Sequence, residues 1–197
     1  MIELVLPDPN KVVQRIKTNF DDRSDFYFRS YPALLKIAGN TELDRETRIL
    51  QLACAAYGWM PTIPKQVSLE FDIDEVMAMS SHDDALRFVA DLSKPLINNS
   101  WVGTSKVLHF INPSHFPIWD SRIALHFHSK KAGANNQQRY LNYCDRVYIW
   151  NEEQPDYGSL IAKAIETQYH YTPTNIRCIE LALFVSAPKN TASTKPV

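Results

Sequence analysis

Apolar residues recur at helical spacing along most of the chain, and this periodicity constrains the fold more than any other feature. Only five of the 197 residues are glycine. Such scarcity argues against an all-β fold with many tight turns and against glycine-rich nucleotide-binding loops. Apolar residues make up 45% of the chain, which is enough for a sizeable core. We therefore predict an all-α protein with one domain over residues 1–187, followed by a polar tail over residues 188–197 that we expect to be disordered.

Capping residues and prolines place the predicted helices. Thr41 is a suitable N-cap for a helix that stops at Gly58. Ser81 with Asp84 resembles a capping box at the start of the next helix, which should end before Pro95. Further helices are predicted at residues 104–112, after residue 120, at 137–150, at 157–169 and at 172–185. The last of these is apolar on most sides, so we expect it to be central and buried.

The cysteines and the N-terminal segment bear on where such a protein works. Cys54, Cys144 and Cys178 are far apart and form no C-x-x-C motif, which argues against a zinc ribbon, an iron–sulfur cluster or a disulfide framework. The N-terminal residues lack the basic and apolar regions of a signal peptide, and no apolar run is long enough to span a bilayer. We expect a soluble, cytoplasmic monomer that does not bind a membrane.

Positive charge is concentrated in the middle of the chain. Residues 94–146 contain seven lysines or arginines and two aspartates, for a net charge of +5, whereas the rest of the chain carries −6. A protein that is nearly neutral overall can still present a phosphate-binding face through such a segment. Ordinary variation of charge along a helical chain is the alternative explanation.

Two residues of this basic segment are candidates for chemistry. Lys106 is predicted to lie in the first turn of the helix at 104–112, where the partial positive charge of the helix N-terminus disfavours an ammonium ion. A lysine with a lowered pKa is a better amine nucleophile, although a surface position or a phosphate contact would also suit this residue. Asp120 follows 14 positions later, after an apolar loop, and as an N-cap it would be held rigidly. A purely structural cap is the alternative for Asp120.

The sequence around these two residues resembles a known family. The runs VGTSKV at residues 102–107 and PIWD at residues 117–120 look like the helix–hairpin–helix/Gly-Pro-Asp superfamily of DNA glycosylases, in which a hairpin precedes a lysine and an apolar loop ends in an aspartate. More narrowly, residues 105–110 and 116–122 are similar to bacterial proteins with an 8-oxoguanine DNA glycosylase fold. The resemblance implies a helix–hairpin–helix glycosylase-like fold with two packed helical lobes and the active site between them.

The implied activity is that of a bifunctional DNA glycosylase with AP-lyase activity, which excises a damaged or modified base, with 8-oxoguanine favoured. Lys106 would attack C1′ of the flipped-out nucleotide to give an imine, and Asp120 would stabilise positive charge on the sugar. The implied partner is double-stranded DNA that carries such a base, at the nucleoid if the chain is bacterial, and no cofactor is implied. The predicted DNA-binding residues are Trp101, Gly103, Thr104, Ser105 and Arg122, and the predicted base-pocket residues are Trp59, Phe110 and Trp119.

Two other functions fit the same residues. One is a non-catalytic helical module that binds DNA or another protein, and the other is a glycosylase that removes modified phage bases in defence. No metal site is predicted: His109 and His115 flank a turn and could approach one another, but no acidic or cysteine ligand completes the set. The run His82-Asp83-Asp84 is explained as the acidic first turn of a capped helix.

Overall fold

The computed structural model describes residues 5–18, 24–60, 63–127 and 133–187. Within these residues the chain forms ten α-helices and no β-strand, which confirms the prediction of an all-α protein. The helices, in chain order, are α1 (Pro9–Lys17), α2 (Ser24–Ala38), α3 (Arg45–Gly58), α4 (Ile73–Ala78), α5 (His82–Asp91), α6 (Trp101–Ile111), α7 (Ala124–Phe127), α8 (Gln137–Glu153), α9 (Ser159–Tyr169) and α10 (Asn175–Ser186). No helix of the described part is long and apolar enough to cross a membrane. The predicted tail at 188–197 lies outside the described residues.

Side-chain caps decide where the helices begin. Helix α3 is capped by Asp44 and not by Thr41, because the Asp44 carboxylate accepts hydrogen bonds from both the amide and the hydroxyl of Thr47. The predicted cap of α5 is confirmed, since the Ser81 hydroxyl accepts the Asp84 amide at 3.1 Å and also bonds the Asp84 carboxylate. The competition between neighbouring polar residues therefore moves a helix start by a few residues.

Helices α1, α2 and α4 have no counterpart among the predicted helices, and α10, like α3, begins later than predicted. Helices α1 and α4 have only nine and six residues, and α2 contains Pro32 in its interior, where the sequence signal is that of a helix end. Helix α10 begins at Asn175 behind Thr174, whose hydroxyl accepts the Arg177 amide at 3.1 Å, so the predicted start at Thr172 is wrong.

A hairpin over residues 92–100 joins α5 to α6. Asn98 and Asn99 have φ values of 50° and 51°, a left-handed conformation that asparagine adopts more readily than most residues. The Asn98 side chain fixes the turn to the loop between α3 and α4, because its oxygen accepts hydrogen bonds from the amides of Lys65 and Gln66. The hairpin is thereby held from outside as well as by its own backbone.

Helix α6 begins at Trp101, three residues before the predicted start, because Ser100 is its cap. Gly103 lies in the first turn, and Tyr57 of α3 packs directly against it. A Cβ atom at Gly103 would come within 2.7 Å of the Tyr57 hydroxyl oxygen and 3.1 Å of the nearest ring carbon. Glycine therefore allows α3 and α6 to approach this closely.

Two hydrophobic clusters form the interior, and α10 belongs to both. The larger cluster gathers buried side chains from α2 to α8, and the smaller one gathers those of α1 and α9 with Phe28 of α2. Ile179 and Leu183 of α10 pack into the larger cluster, whereas Leu181 and Val185 pack into the smaller one. Nine of the twelve α10 residues are buried, which confirms that the last helix is central.

Replacing Gly103 with valine should lower the free energy of unfolding by about 1–3 kcal/mol, because the added methyl groups have to displace the Tyr57 ring. Gly58→Ala is the matched control, since a Cβ atom there meets nothing within 4 Å. The control should leave stability unchanged or raise it by up to about 1 kcal/mol through better helix propensity. Urea unfolding followed by circular dichroism measures both, and a Gly103→Val protein as stable as the wild type would contradict this packing.

Candidate active site

Lys106 is the sixth residue of α6 and lies in its second turn, so the prediction that the helix N-terminus acts on its amine is wrong. The environment of the amine is set by burial, because only 5% of Lys106 is exposed. Burial lowers the pKa of the Lys106 ammonium group, the carboxylates of Asp120 and Glu180 oppose this shift, and the charge of Arg177 adds to it. The amine is therefore easier to deprotonate than that of an exposed lysine.

The Lys106 amine faces Asp120, and its Nζ atom lies 3.9 Å from the Asp120 Oδ2 atom. This distance is longer than a hydrogen bond, so the Asp120 carboxylate attracts the amine without taking up one of its hydrogen-bonding positions. Asp120 is held at the start of the turn that leads into α7, since its Oδ1 atom accepts the Arg122 amide at 2.7 Å. Its side chain keeps 19% of its surface exposed. The two side chains thus present an amine and a carboxylate side by side.

Ser105 connects the two segments that carry this pair. Its hydroxyl oxygen accepts the Trp119 amide at 2.9 Å and lies 3.2 Å from the Trp119 carbonyl oxygen. Ser105 directly precedes Lys106, and Trp119 directly precedes Asp120, so this contact sets the distance between amine and carboxylate. Ser105 is fully buried, which corrects its predicted role as a DNA contact and gives it a positioning role.

The pair lines a cleft whose walls are largely aromatic. The aromatic side chains come from α2, the end of α3 and α10, and they are Tyr27, Phe28, Trp59 and Phe184. The rest of the lining consists of Ile118 and Leu181 with the charged residues Lys106, Asp120, Arg177 and Glu180. Phe28 and Leu181 belong to the smaller hydrophobic cluster, and Trp59 packs against the larger one. The cleft therefore lies where the two clusters meet.

Arg177 and Glu180 form a buried ion pair at the cleft, and neither is among the residues predicted from the sequence. They lie three positions apart on α10 and are hydrogen-bonded to one another, with side chains that are 4% and 3% exposed. The Arg177 guanidinium also lies over the rings of Tyr31 and Trp59, 4.7 Å and 5.9 Å from their centres. The signal in the sequence is two opposite charges in a helix that is otherwise apolar on most sides.

Burial raises the pKa of the Glu180 carboxyl to about 7, because the cost of taking its charge out of water exceeds the stabilisation from Arg177. Apolar residues of similar volume often replace such a pair without loss of stability, so stability alone does not account for these charges. With Lys106 and Asp120, the pair places two cations and two carboxyl groups in an otherwise apolar cleft. Such a lining suits a flat ligand with both hydrogen-bond donors and acceptors.

Phe110 and Trp119 lie in the core and not at the cleft, which corrects their predicted place in a base pocket. Phe110 is 1% exposed, and its ring meets Trp59 edge-on with ring centres 5.2 Å apart. Trp119 is fully buried, and its indole N–H donates to the carbonyl of Ala134 at 2.6 Å. Phe110 thus supports the cleft wall through Trp59, and Trp119 anchors the loop that ends in Asp120.

The predicted DNA-binding residues in the first turn of α6 are also buried. The Gly103 amide donates to the Ser100 hydroxyl, and the Thr104 amide donates to the Ser100 carbonyl. The Trp101 amide donates to the side chain of Asn135 at 2.8 Å. These amides already donate hydrogen bonds within the protein. The prediction that they bind a DNA phosphate is therefore corrected.

Trp59 lies in the cleft wall, and Arg122 lies against a residue of that wall. Trp59 lines the cleft, and its indole N–H donates to the Ser30 hydroxyl at 3.0 Å, which fixes the ring plane. The Arg122 guanidinium lies 4.4 Å from the ring centre of Phe184, one of the aromatic residues of the cleft wall. Of these two residues selected from the sequence, Trp59 lines the cleft and Arg122 contacts the cleft residue Phe184.

A buried histidine links three elements behind the aromatic wall. The His109 Nδ1 atom donates to the carbonyl of Phe116 at 2.7 Å, because a carbonyl can only accept. Its Nε2 atom is left to accept the Tyr31 hydroxyl at 2.8 Å. Burial lowers the pKa of His109 well below its ordinary value, and the charge of Arg177 adds to this effect. The ring is therefore neutral and has one fixed tautomer.

No protein-family model, curated protein or solved structure matches this chain. Within the described ranges, no three or more His, Cys, Asp or Glu side chains are grouped so as to hold a metal ion.

Removing one charge of the buried pair should destabilise the protein more than removing both. Arg177→Met leaves the Glu180 carboxyl buried without its partner and should lower the free energy of unfolding by about 3–5 kcal/mol at neutral pH. The double variant Arg177→Met/Glu180→Leu should recover most of this loss, because neither charge of the pair then remains in the interior without its partner. Urea unfolding of the three proteins measures the difference, and equal losses in the single and double variants would be inconsistent with a buried, coupled pair.

Glu180 should also make stability depend on pH. An unfolded glutamate loses its proton near pH 4.5, whereas folded Glu180 keeps its proton up to about pH 7. The folded state therefore binds more protons in this window, and stability should fall as the pH rises through it. In Glu180→Gln this contribution should be absent. Urea unfolding at several pH values compares the two proteins, and parallel pH profiles would argue against a raised Glu180 pKa.

Proposed function

We propose that this chain is a bifunctional DNA glycosylase that excises a damaged or modified base and nicks the strand by AP-lyase activity. The observation that carries the proposal is the buried Lys106 amine, 3.9 Å from the Asp120 carboxylate at the wall of an aromatic cleft. An amine nucleophile has to lose its proton before it attacks, and burial favours that loss by lowering the Lys106 pKa. The resemblance of residues 102–107 and 117–120 to the helix–hairpin–helix/Gly-Pro-Asp superfamily supports the same activity.

The cleft offers the surfaces that a flipped-out base requires. A base has two flat faces, which stack on aromatic side chains, and a polar edge, which needs hydrogen-bonding partners. Trp59 and Phe184 provide aromatic surface, and Arg177 and Glu180 provide a donor and an acceptor. Arg122, which lies over Phe184 of the cleft wall, would neutralise a phosphate next to the flipped nucleotide.

The order of the elements around Lys106 supports the proposal. Helix α5, the hairpin over residues 92–100 and α6 have the order of a helix–hairpin–helix element, and Lys106 follows the hairpin. In this proposal the two hydrophobic clusters that meet at the cleft would be the two lobes that the resemblance implies. The α10 helix would then join the lobes and line the base pocket.

In the proposed reaction, the unprotonated Lys106 amine attacks C1′ and forms an N–C1′ bond while the bond from C1′ to the base nitrogen breaks. The base leaves with the electron pair of that bond and takes up a proton. The Asp120 carboxylate stabilises the positive charge that develops on the sugar. The C1′–O4′ bond then breaks, O4′ leaves with its electron pair and takes up a proton given up by the nitrogen, and a protonated imine forms between Lys106 and C1′. Loss of a C2′ proton then expels the 3′ phosphate by β-elimination, which cleaves the strand.

Reductive trapping tests this proposal. Borohydride reduces an imine to a stable amine, so the protein should become covalently attached to duplex DNA that contains a substrate base or an abasic site. Lys106→Gln should abolish the covalent product, and Asp120→Asn should slow its formation on a substrate base by about 100-fold. Lys94→Gln is the matched control, because Lys94 is an exposed lysine of the same basic segment, and it should leave trapping intact.

The choice of duplexes separates the candidate functions. The panel should include 8-oxoguanine, alkylated and deaminated bases, an abasic site and modified pyrimidines of the kind found in phage DNA. Trapping only on the phage-type bases would favour a role in defence. Absence of a covalent product on every duplex would sink the lyase proposal, and DNA binding that survives in Lys106→Gln would then favour a non-catalytic module.

A further inference from the structure

Two histidines meet outside the cleft. His82 is the first residue of α5, and His115 lies in the loop between α6 and α7. Their Nδ1 atoms are 3.2 Å apart, and their ring centres are 5.1 Å apart. Both residues are half-buried, so a small ion can reach them from solvent. His115 therefore pairs with His82 and not with His109, the neighbour considered from the sequence.

The geometry of the pair matches two imidazoles on one tetrahedral ion. With metal–nitrogen bonds of about 2.05 Å, two ligand nitrogens on such an ion lie about 3.3 Å apart. A ring centre lies about 1.15 Å from its nitrogen when the C–N bonds are about 1.35 Å, so the two centres would be about 5.2 Å apart. Two rings aligned head-on along an N–H···N hydrogen bond of the same length would have centres about 5.5 Å apart. The observed 5.1 Å fits the converging arrangement, and without an ion the same two nitrogens can share one bent N–H···N hydrogen bond.

Tyr148 of α8 holds both histidines in this arrangement. Its ring stacks on His82, with centres 4.0 Å apart and planes 10° apart. Its hydroxyl donates a hydrogen bond to the backbone carbonyl of His115. The two Nδ1 atoms are thus positioned before any ion arrives, which reduces the ordering cost of binding.

The charges around the pair favour a cation. The neutral ring is the form that binds a metal. The negative charges of Glu152 and Asp83 act on His82 and would also attract a positive ion.

We propose that His82 and His115 bind a first-row transition-metal ion of the Zn²⁺ class through their Nδ1 atoms, with water completing the shell. Imidazole ligands suit Zn²⁺, Cu²⁺ and Ni²⁺ better than Mg²⁺ or Ca²⁺. The ion would join the start of α5 to the loop that ends in Asp120. It would hold this loop at His115, whereas Ser105 holds it at Trp119. The site uses no residue of the cleft, so it stands or falls independently of the proposed glycosylase activity.

Metal titration of the protein without an affinity tag tests the site. Calorimetry with Zn²⁺ should give one ion per chain, and Co²⁺ should give the absorption bands of a tetrahedral ion. His82→Gln and His115→Gln should each weaken binding at least tenfold. His170→Gln is the matched control, because His170 is an exposed histidine at the end of α9, and it should bind like the wild type.

Thermal unfolding gives a second readout. Zn²⁺ should raise the Tm of the wild type and of His170→Gln, but not that of His82→Gln or His115→Gln. The two histidines lie on different elements, and circular dichroism of the metal-free variants shows whether each one folds. No binding to the wild type, unchanged binding in folded His82→Gln and His115→Gln, or one ion per two chains would each overturn the proposal.

Discussion

Helix α10 has to be apolar on opposite sides at once, because Leu183 packs into one hydrophobic cluster and Val185 into the other. A helix in this position has almost no face left for charged residues. It nevertheless carries Arg177 and Glu180, which bond to one another and line the gap where the clusters meet. Their side chains are 4% and 3% exposed, so each charged group depends on the other for hydrogen bonding. The cleft is thus a consequence of two cores that share one helix.

The arrangement of Lys106 and Asp120 does not depend on their mutual attraction. At 3.9 Å the pair is too long for a hydrogen bond, and a direct contact would tie up the amine that the proposed chemistry needs. The distance is set one residue away, where Ser105 bonds the backbone of Trp119. Buried neutral hydrogen bonds hold the framework, and the charged groups are left to interact with a ligand.

The helical class of the fold was predictable because periodicity is a local property of the sequence. Helix starts were less predictable, since Asp44 and Thr41 are both good caps and only the folded chain shows which one is used. The candidate site was predictable in part. An aromatic residue in a cleft wall and one in a core have the same sequence signature, so the burial of Phe110 could not be foreseen. Arg177 and Glu180 carried a usable signal, because opposite charges in a central apolar helix need a reason.

The locked tautomer of His109 affects how the cleft responds to acidity. A histidine beside a reaction centre usually makes a site sensitive to pH near neutrality. Here one ring nitrogen is committed to the Phe116 carbonyl and the other to the Tyr31 hydroxyl, and burial keeps the ring uncharged. The imidazole serves as a fixed dipole between two packed elements. The aromatic wall in front of it keeps a constant polarity across the physiological range, and protons exchanged at the cleft belong to the groups that line it.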